Sequence, residues 1–214
     1  MKVLVFICLF LAGCKLNQQI ESESVKRPQT LLKLEDCGGY VCDVSENSLP
    51  IVQNDVYIPS GNEFYFNGKN SVLSVDDSFL DGEWELELSF YFILDRYETM
   101  ENATLVCSNF AYGNQGDWLL QFDNGRLMLL IQTPGELRAF GSKRDYEPER
   151  KYYIKLVKTE THVLVYVNDI LDIQLAYSDS YNAQGAPLVF GSNHYDRDGM
   201  YYFTGLIGEI EVRK

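Results

Sequence analysis

Apolar and polar residues alternate along most of this chain with a period of two. The clearest stretch is 83–92, where Trp84, Leu86, Leu88, Phe90 and Phe92 fall on one side and Glu83, Glu85, Glu87, Ser89 and Tyr91 on the other. Successive side chains of an extended strand point to opposite faces, so the pattern predicts a strand with one dry and one wet side. Similar runs predict strands at 63–67, 71–75, 103–110, 117–122, 126–132, 136–141, 151–158, 162–168, 170–176, 187–191 and 206–213. Turn residues stand between several of them. Asp123-Asn124-Gly125 and Asn168-Asp169 accept the positive φ angles of tight hairpins. About a dozen short strands at these intervals predict two packed antiparallel sheets, because a single sheet would leave an apolar face uncovered. No helix-period pattern of useful length follows the N-terminal leader.

Composition agrees with one all-β domain. The 214 residues suffice for one substantial core, and 15 tyrosines with 12 phenylalanines favour strands. A formal net charge of −13 argues against nucleic-acid binding, which needs clustered Lys and Arg. The same acidity suits either a divalent cation or simply a solvated surface.

The first 13 residues carry one lysine and then a short apolar run, Val3 to Leu11, too short to span a bilayer as a helix. They read as a secretory signal. Leu11-Ala12-Gly13-Cys14 resembles the lipobox of bacterial lipoproteins, which implies a lipid-modified Cys14 and, without that modification, plain secretion. Residues 14–33 then read as a polar tether, since the run from Lys15 to Thr30 has no apolar period with which to offset its ordering entropy. Residues 34–61 read as an N-terminal extension, and 62–214 as the sandwich. Cys37 and Cys42, in CGGYVC, are close enough for a small disulfide loop, with two glycines to permit the turn. Their spacing, without a second pair or a histidine cluster, does not suit zinc. Cys107, inside ATLVCSNF, reads as a buried thiol.

The order of segments from residue 62 onward resembles the concanavalin A-like superfamily, and within it the laminin-G-like jelly rolls. The carriers are FYFNG followed by VLSV, then GDWLLQFDNGRLMLLI around an Asn-Gly hairpin. YYIKLVKTETHVLVYVNDIL follows, then a closing YYFTGLIGEIEVRK. Where that family has an acidic residue after the closing isoleucine, this chain has Gly208 and then Glu209. The resemblance implies an all-β, two-sheet antiparallel jelly-roll sandwich that recognises glycans or extracellular proteins at a rim of the fold, often with Ca²⁺. The superfamily also contains hydrolases and lyases, so fold alone does not decide function.

The resemblance implies a calcium ligand at Asp117. Calcium takes six to eight oxygens, so Asn193, Asp196 and Asp198 of GSNHYDRDG are the candidates to complete the shell. The competing reading makes Asp117 a turn cap and the later loop a solvated one. For a glycan, aromatic faces with nearby amides are needed, and Tyr112, Asn114, Trp118, Asn193 and Tyr195 lie in or beside presumed loops. Trp118 follows Asp117 directly, so the two point to opposite faces, and core packing is the favoured reading of its ring. Glycoside hydrolysis requires two carboxylates across a cleft. The nearest run, Glu83-Trp84-Glu85-Leu86-Glu87, lacks the superfamily spacing and reads as a wet sheet face. Two histidines, no Gly-x-Ser-x-Gly elbow and no phosphate-cradling glycine loop leave no recognisable catalytic motif. The expectation is a non-enzymatic recognition domain, exported and anchored to a membrane only through its lipid. The alternatives are a carbohydrate-active enzyme or a structural envelope protein.

Overall fold

The computed structural model describes residues 28–80, 82, 85–108, 118–133, 135–179, 187–193 and 201–214. Fifteen strands run through them in chain order: β1 (Thr30–Asp36), β2 (Val41–Asp43), β3 (Ile51–Asn54), β4 (Glu63–Asn67), β5 (Val72–Asp76), β6 (Leu86–Leu94), β7 (Asn102–Ser108) and β8 (Trp118–Asp123). There follow β9 (Arg126–Thr133), β10 (Glu136–Gly141), β11 (Lys151–Lys158), β12 (His162–Val167), β13 (Ile170–Ala176), β14 (Pro187–Phe190) and β15 (Thr204–Arg213). They form two antiparallel sheets. One has eight strands in the order β13-β12-β11-β6-β15-β1-β2, with β4 also paired to β15. The other has seven in the order β10-β9-β8-β7-β14-β5-β3.

The alternation of β6 is what joins the layers. Leu86, Leu88, Phe90, Phe92 and Leu94 are all buried. Phe92 meets Phe122 of the opposite sheet edge-on at 5.6 Å, and Phe90 meets Phe190 at 6.3 Å. Such aromatic pairs add to the area they bury, so the dry face of β6 is the centre of the sandwich core. Trp84 and Glu83 lie outside the described residues.

Two expectations are corrected. Residues 30–33 are not tether and 34–61 are not an extension ahead of the sandwich, because β1, β2 and β3 belong to the sheets. Leu31, Leu32, Leu34 and Val41 are buried, and β1 pairs with β15 in the register Leu32↔Val212 and Lys33↔Glu211. The apolar positions of TLLKLED repay their ordering by burial. Asp43 secures this region: its carboxylate accepts the Lys33 and Ser45 amides at 3.0 and 2.9 Å, the Leu49 amide at 2.9 Å and the Ser45 hydroxyl at 2.8 Å.

Tyr91, expected on the wet side of β6, points that way and is nevertheless only 1 % exposed. The cause is Gly208 on the neighbouring strand. A Cβ built there would lie 2.6 Å from the Tyr91 ring carbon and hydroxyl, so the absent side chain is the space the ring occupies. An aromatic covering a cross-strand glycine is a known device for stabilising a sheet.

Candidate ligand-binding groove

Most of the residues singled out from sequence fall outside the described residues: Cys14, Tyr112, Asn114, Asp117, Tyr195, Asp196 and Asp198. Asn193 is half-buried just after β14, and its carbonyl accepts the Ser192 hydroxyl at 3.1 Å. Among the described residues no three His, Cys, Asp or Glu side chains gather as a metal site would need. Trp118 is a correction. It starts β8 facing inward, is 8 % exposed and belongs to the main core, so its ring is unavailable to a sugar. A disulfide joins Cys37 and Cys42, and Asp36 Oδ1 accepts the Gly38 and Gly39 amides within the loop, at 3.0 and 2.7 Å.

The structure offers a different place. On the outer face of the eight-stranded sheet lies a groove of about 490 Å³, lined among others by Lys33, Asn62, Ser89, Tyr153, Lys155, Asp169, Glu209 and Glu211. Register brings these side chains together. One row across the sheet is Lys33↔Glu211↔Ser89↔Lys155↔Tyr166, and the next is Glu63↔Gly208↔Tyr91↔Tyr153. Paired residues share a face, so each row is a line of neighbouring side chains. Small Ser89 makes the floor, and longer residues make the walls.

Between the two rows β15 carries a bulge, with register shifting between Gly208 and Glu211. There it exchanges β4 for β1 as its partner along one edge. Glu209 is the extra residue, exposed and held at φ 53°, with its amide donated to the Asn62 carbonyl at 3.3 Å. Bulges re-aim side chains, and a left-handed non-glycine residue is a local cost the surrounding structure must support. Here the result is a carboxylate turned to the groove.

The walls are electrically mixed. Lys33 pairs with Glu35 at 2.5 Å, and the Lys155 ammonium lies 5.2 Å from the Tyr166 ring centre. Glu211 is held by Arg213 at 2.6 Å and by the Thr30 hydroxyl at 3.0 Å. Burial alone would raise the Glu211 carboxyl; its hydrogen bonds from Arg213 and Thr30, with the charges of Arg213 and Lys33, outweigh that and hold it below its ordinary value. Beside the groove, Tyr91 donates to Glu63 Oε1 at 2.6 Å, under the Lys151 ammonium at 3.6 Å from the ring centre. That hydrogen bond chiefly lowers the Glu63 carboxyl against its desolvation. Burial, and then the Glu63 carboxylate, push the Tyr91 phenol up, so it stays a neutral donor. The Tyr153 ring packs edge-on against Tyr91 at 5.8 Å and remains 49 % exposed. An open aromatic ring, Asn62, and both acceptors and cationic donors around a small-residue floor suit a polyhydroxylated, uncharged ligand better than an ion of one sign.

The sequence held one signal for this site. Apolar positions Ile207, Ile210 and Val212 are spaced three and then two apart, the mark of an extra residue in a strand. Which outward-facing side chains it gathers depends on cross-strand register, which is long-range.

No family model matches this chain, and no curated protein does. Solved structures do share its fold. Domain 4 of AbnA, a GH43 extracellular arabinanase from Geobacillus stearothermophilus solved with arabinotriose, superposes with a TM-score of 0.68 at 15 % identity, covering 88 % of this chain and 94 % of that one. The botulinum neurotoxin serotype D binding domain gives 0.67 at 16 % identity, over 86 % of this chain and 48 % of that one. The binding domain of Paraclostridial Mosquitocidal Protein 1 gives 0.66 at 14 %, over 86 % and 48 %. This chain spans about half the length of the toxin domains it resembles. The common ground is a two-sheet β-sandwich.

Proposed function

We propose that this chain is a non-enzymatic recognition domain that binds a neutral glycan in the groove on the outer face of its eight-stranded sheet. The observation carrying this is the groove itself: about 490 Å³ of open space beside a half-exposed Tyr153, with carboxylates, ammonium groups and an amide at its walls. A sugar offers C–H faces to an aromatic ring and hydroxyls that both donate and accept, so mixed walls satisfy it. The similar structures lend support, since two are binding domains and the third holds arabinotriose. Glu211, kept ionised by its partners, is ill suited to act as the general acid that hydrolysis needs.

Export and a lipid anchor at Cys14 belong to the same proposal and rest on the leader sequence. Calcium, implied for Asp117, Asn193, Asp196 and Asp198, is a separate strand of it. Calorimetric titration of the full chain with neutral oligosaccharides should give saturable binding without release of reducing ends or unsaturated products. Product release would replace this reading with an enzyme. Repeating the titration in a chelator tests calcium, and Cys14→Ser should abolish lipid labelling and membrane partitioning.

A further inference from the structure

A second concavity lies on the same sheet face, beyond the row that holds Tyr91. Tyr57 and Tyr65 exchange backbone hydrogen bonds of 3.2 and 2.7 Å, the mark of a directly opposed antiparallel pair, so their side chains stand next to each other. Leu206 is opposite Tyr65 on the other side. With Pro59 and Asp95 these residues line a cleft of about 320 Å³. Tyr57 is 65 % exposed, so its ring is open to a ligand.

Asp95 is the one charged residue among the described residues lining the cleft, and the Arg96 guanidinium beside it is near enough for its charge to act on the Tyr65 phenol. Asp95 Oδ2 accepts the Tyr65 hydroxyl at 2.8 Å, and among the described residues Asp95 takes part in no ion pair. The same hydrogen bond chiefly raises the Tyr65 phenol, which keeps it protonated and fixed as a donor to the carboxylate.

We propose that this cleft binds a trimethylammonium group. Aromatic faces attract cations, and Asp95 supplies the opposing charge. Apolar walls and few free acceptors select among cations. A primary ammonium brings three N–H donors and a guanidinium five, and each must find an acceptor. A trimethylammonium brings none, and its methyl groups pack against Pro59, Leu206 and the two rings. A sugar ring would leave its hydroxyls largely unmatched here. The chain's charge of −13 raises the local concentration of any cation.

The test is titration of the full chain with choline, followed by the tyrosine ring resonances, with 3,3-dimethyl-1-butanol as its uncharged isostere and N-acetyl-lysine amide in parallel. Choline should bind saturably and at least about tenfold more tightly than either comparison compound. Tyr57→Ala and Asp95→Asn, both exposed changes, should weaken choline about tenfold. Ser89→Trp, which fills the glycan groove, should leave choline binding unchanged, so the two sites stand or fall separately. Equal binding of choline and its isostere would reduce the cleft to an apolar depression. Tighter binding of the lysine compound, or no saturation with choline, would overturn the assignment equally.

Discussion

The central strands of the two sheets treat their outer faces in opposite ways. On the seven-stranded sheet, Cys107, Leu119 and Val189 face away from the main core, yet they are 0 %, 2 % and 1 % exposed and pack with Val72 and Leu130. Thr104 and Gln121, opposed in register, are buried there too. On the eight-stranded sheet the outward positions include Glu63, Ser89, Tyr153, Lys155, Glu209 and Glu211, all of which reach solvent at least in part, with Tyr91 the buried exception. A strand covered on both faces needs apolar residues throughout, whereas a strand covered on one side needs them only at alternate positions. Burial shows it: in β8 Trp118 to Phe122 are all buried and only Asp123 is exposed, whereas in β11 buried Tyr152, Ile154 and Leu156 alternate with the more exposed Tyr153, Lys155 and Val157. Covered faces serve stability. The open face keeps its polar and aromatic side chains available to bind.

The contrast can be broken most directly at Leu119. Although it faces outward, Leu119→Ala should cost about 2–4 kcal/mol in urea unfolding, because the site is filled on both sides. A loss near zero would mean that face is open after all. On the eight-stranded sheet Gly208→Ala should cost about 1–3 kcal/mol, since the new methyl collides with Tyr91 and with the Asn62 carbonyl. Its thermal midpoint should fall while Leu206→Ala, at a half-buried outward position nearby, changes less.

Tyr91→Phe should cost about 1 kcal/mol by removing the hydrogen bond to Glu63. It also carries a pH signature. The Glu63 carboxyl titrates lower folded than unfolded, so its contribution is present above the unfolded value of about 4.3 and is lost as pH falls through the folded one. Stability of the native chain should therefore decline on acidification below about pH 5, and the variant should decline less steeply. Parallel curves for the two proteins would detach Tyr91 from Glu63. The smallest stability effect is expected at Tyr153→Ala, within about 0.5 kcal/mol for a ring that is half exposed.

Much of the fold was legible in the sequence. Strands β4, β11 and β13 have the boundaries that alternation predicts, because each buries residues on one face and its pattern is local; β10 has its predicted boundaries too, although its residues are almost all exposed. The strands β1 to β3 were not. TLLKLED is short and follows a polar run, and only pairing with β15, at the far end of the chain, makes it a strand. Alternation puts Tyr91 on the correct face but does not give its exposure, because the glycine that admits its ring lies more than a hundred residues away in sequence. The candidate groove was illegible for the same reason. Ser89, Tyr153, Lys155 and Glu209 sit on three different strands, and nothing local says they meet.

The central claim is that the open face of the eight-stranded sheet binds a glycan. Its most direct test is a glycan array probed with the full chain and with Ser89→Trp, whose indole would fill the groove floor while leaving the core intact. The account predicts that the native chain binds at least one neutral glycan and that the variant, folded by circular dichroism, loses it. Undiminished binding by the variant, or no glycan bound by the native chain, would contradict it.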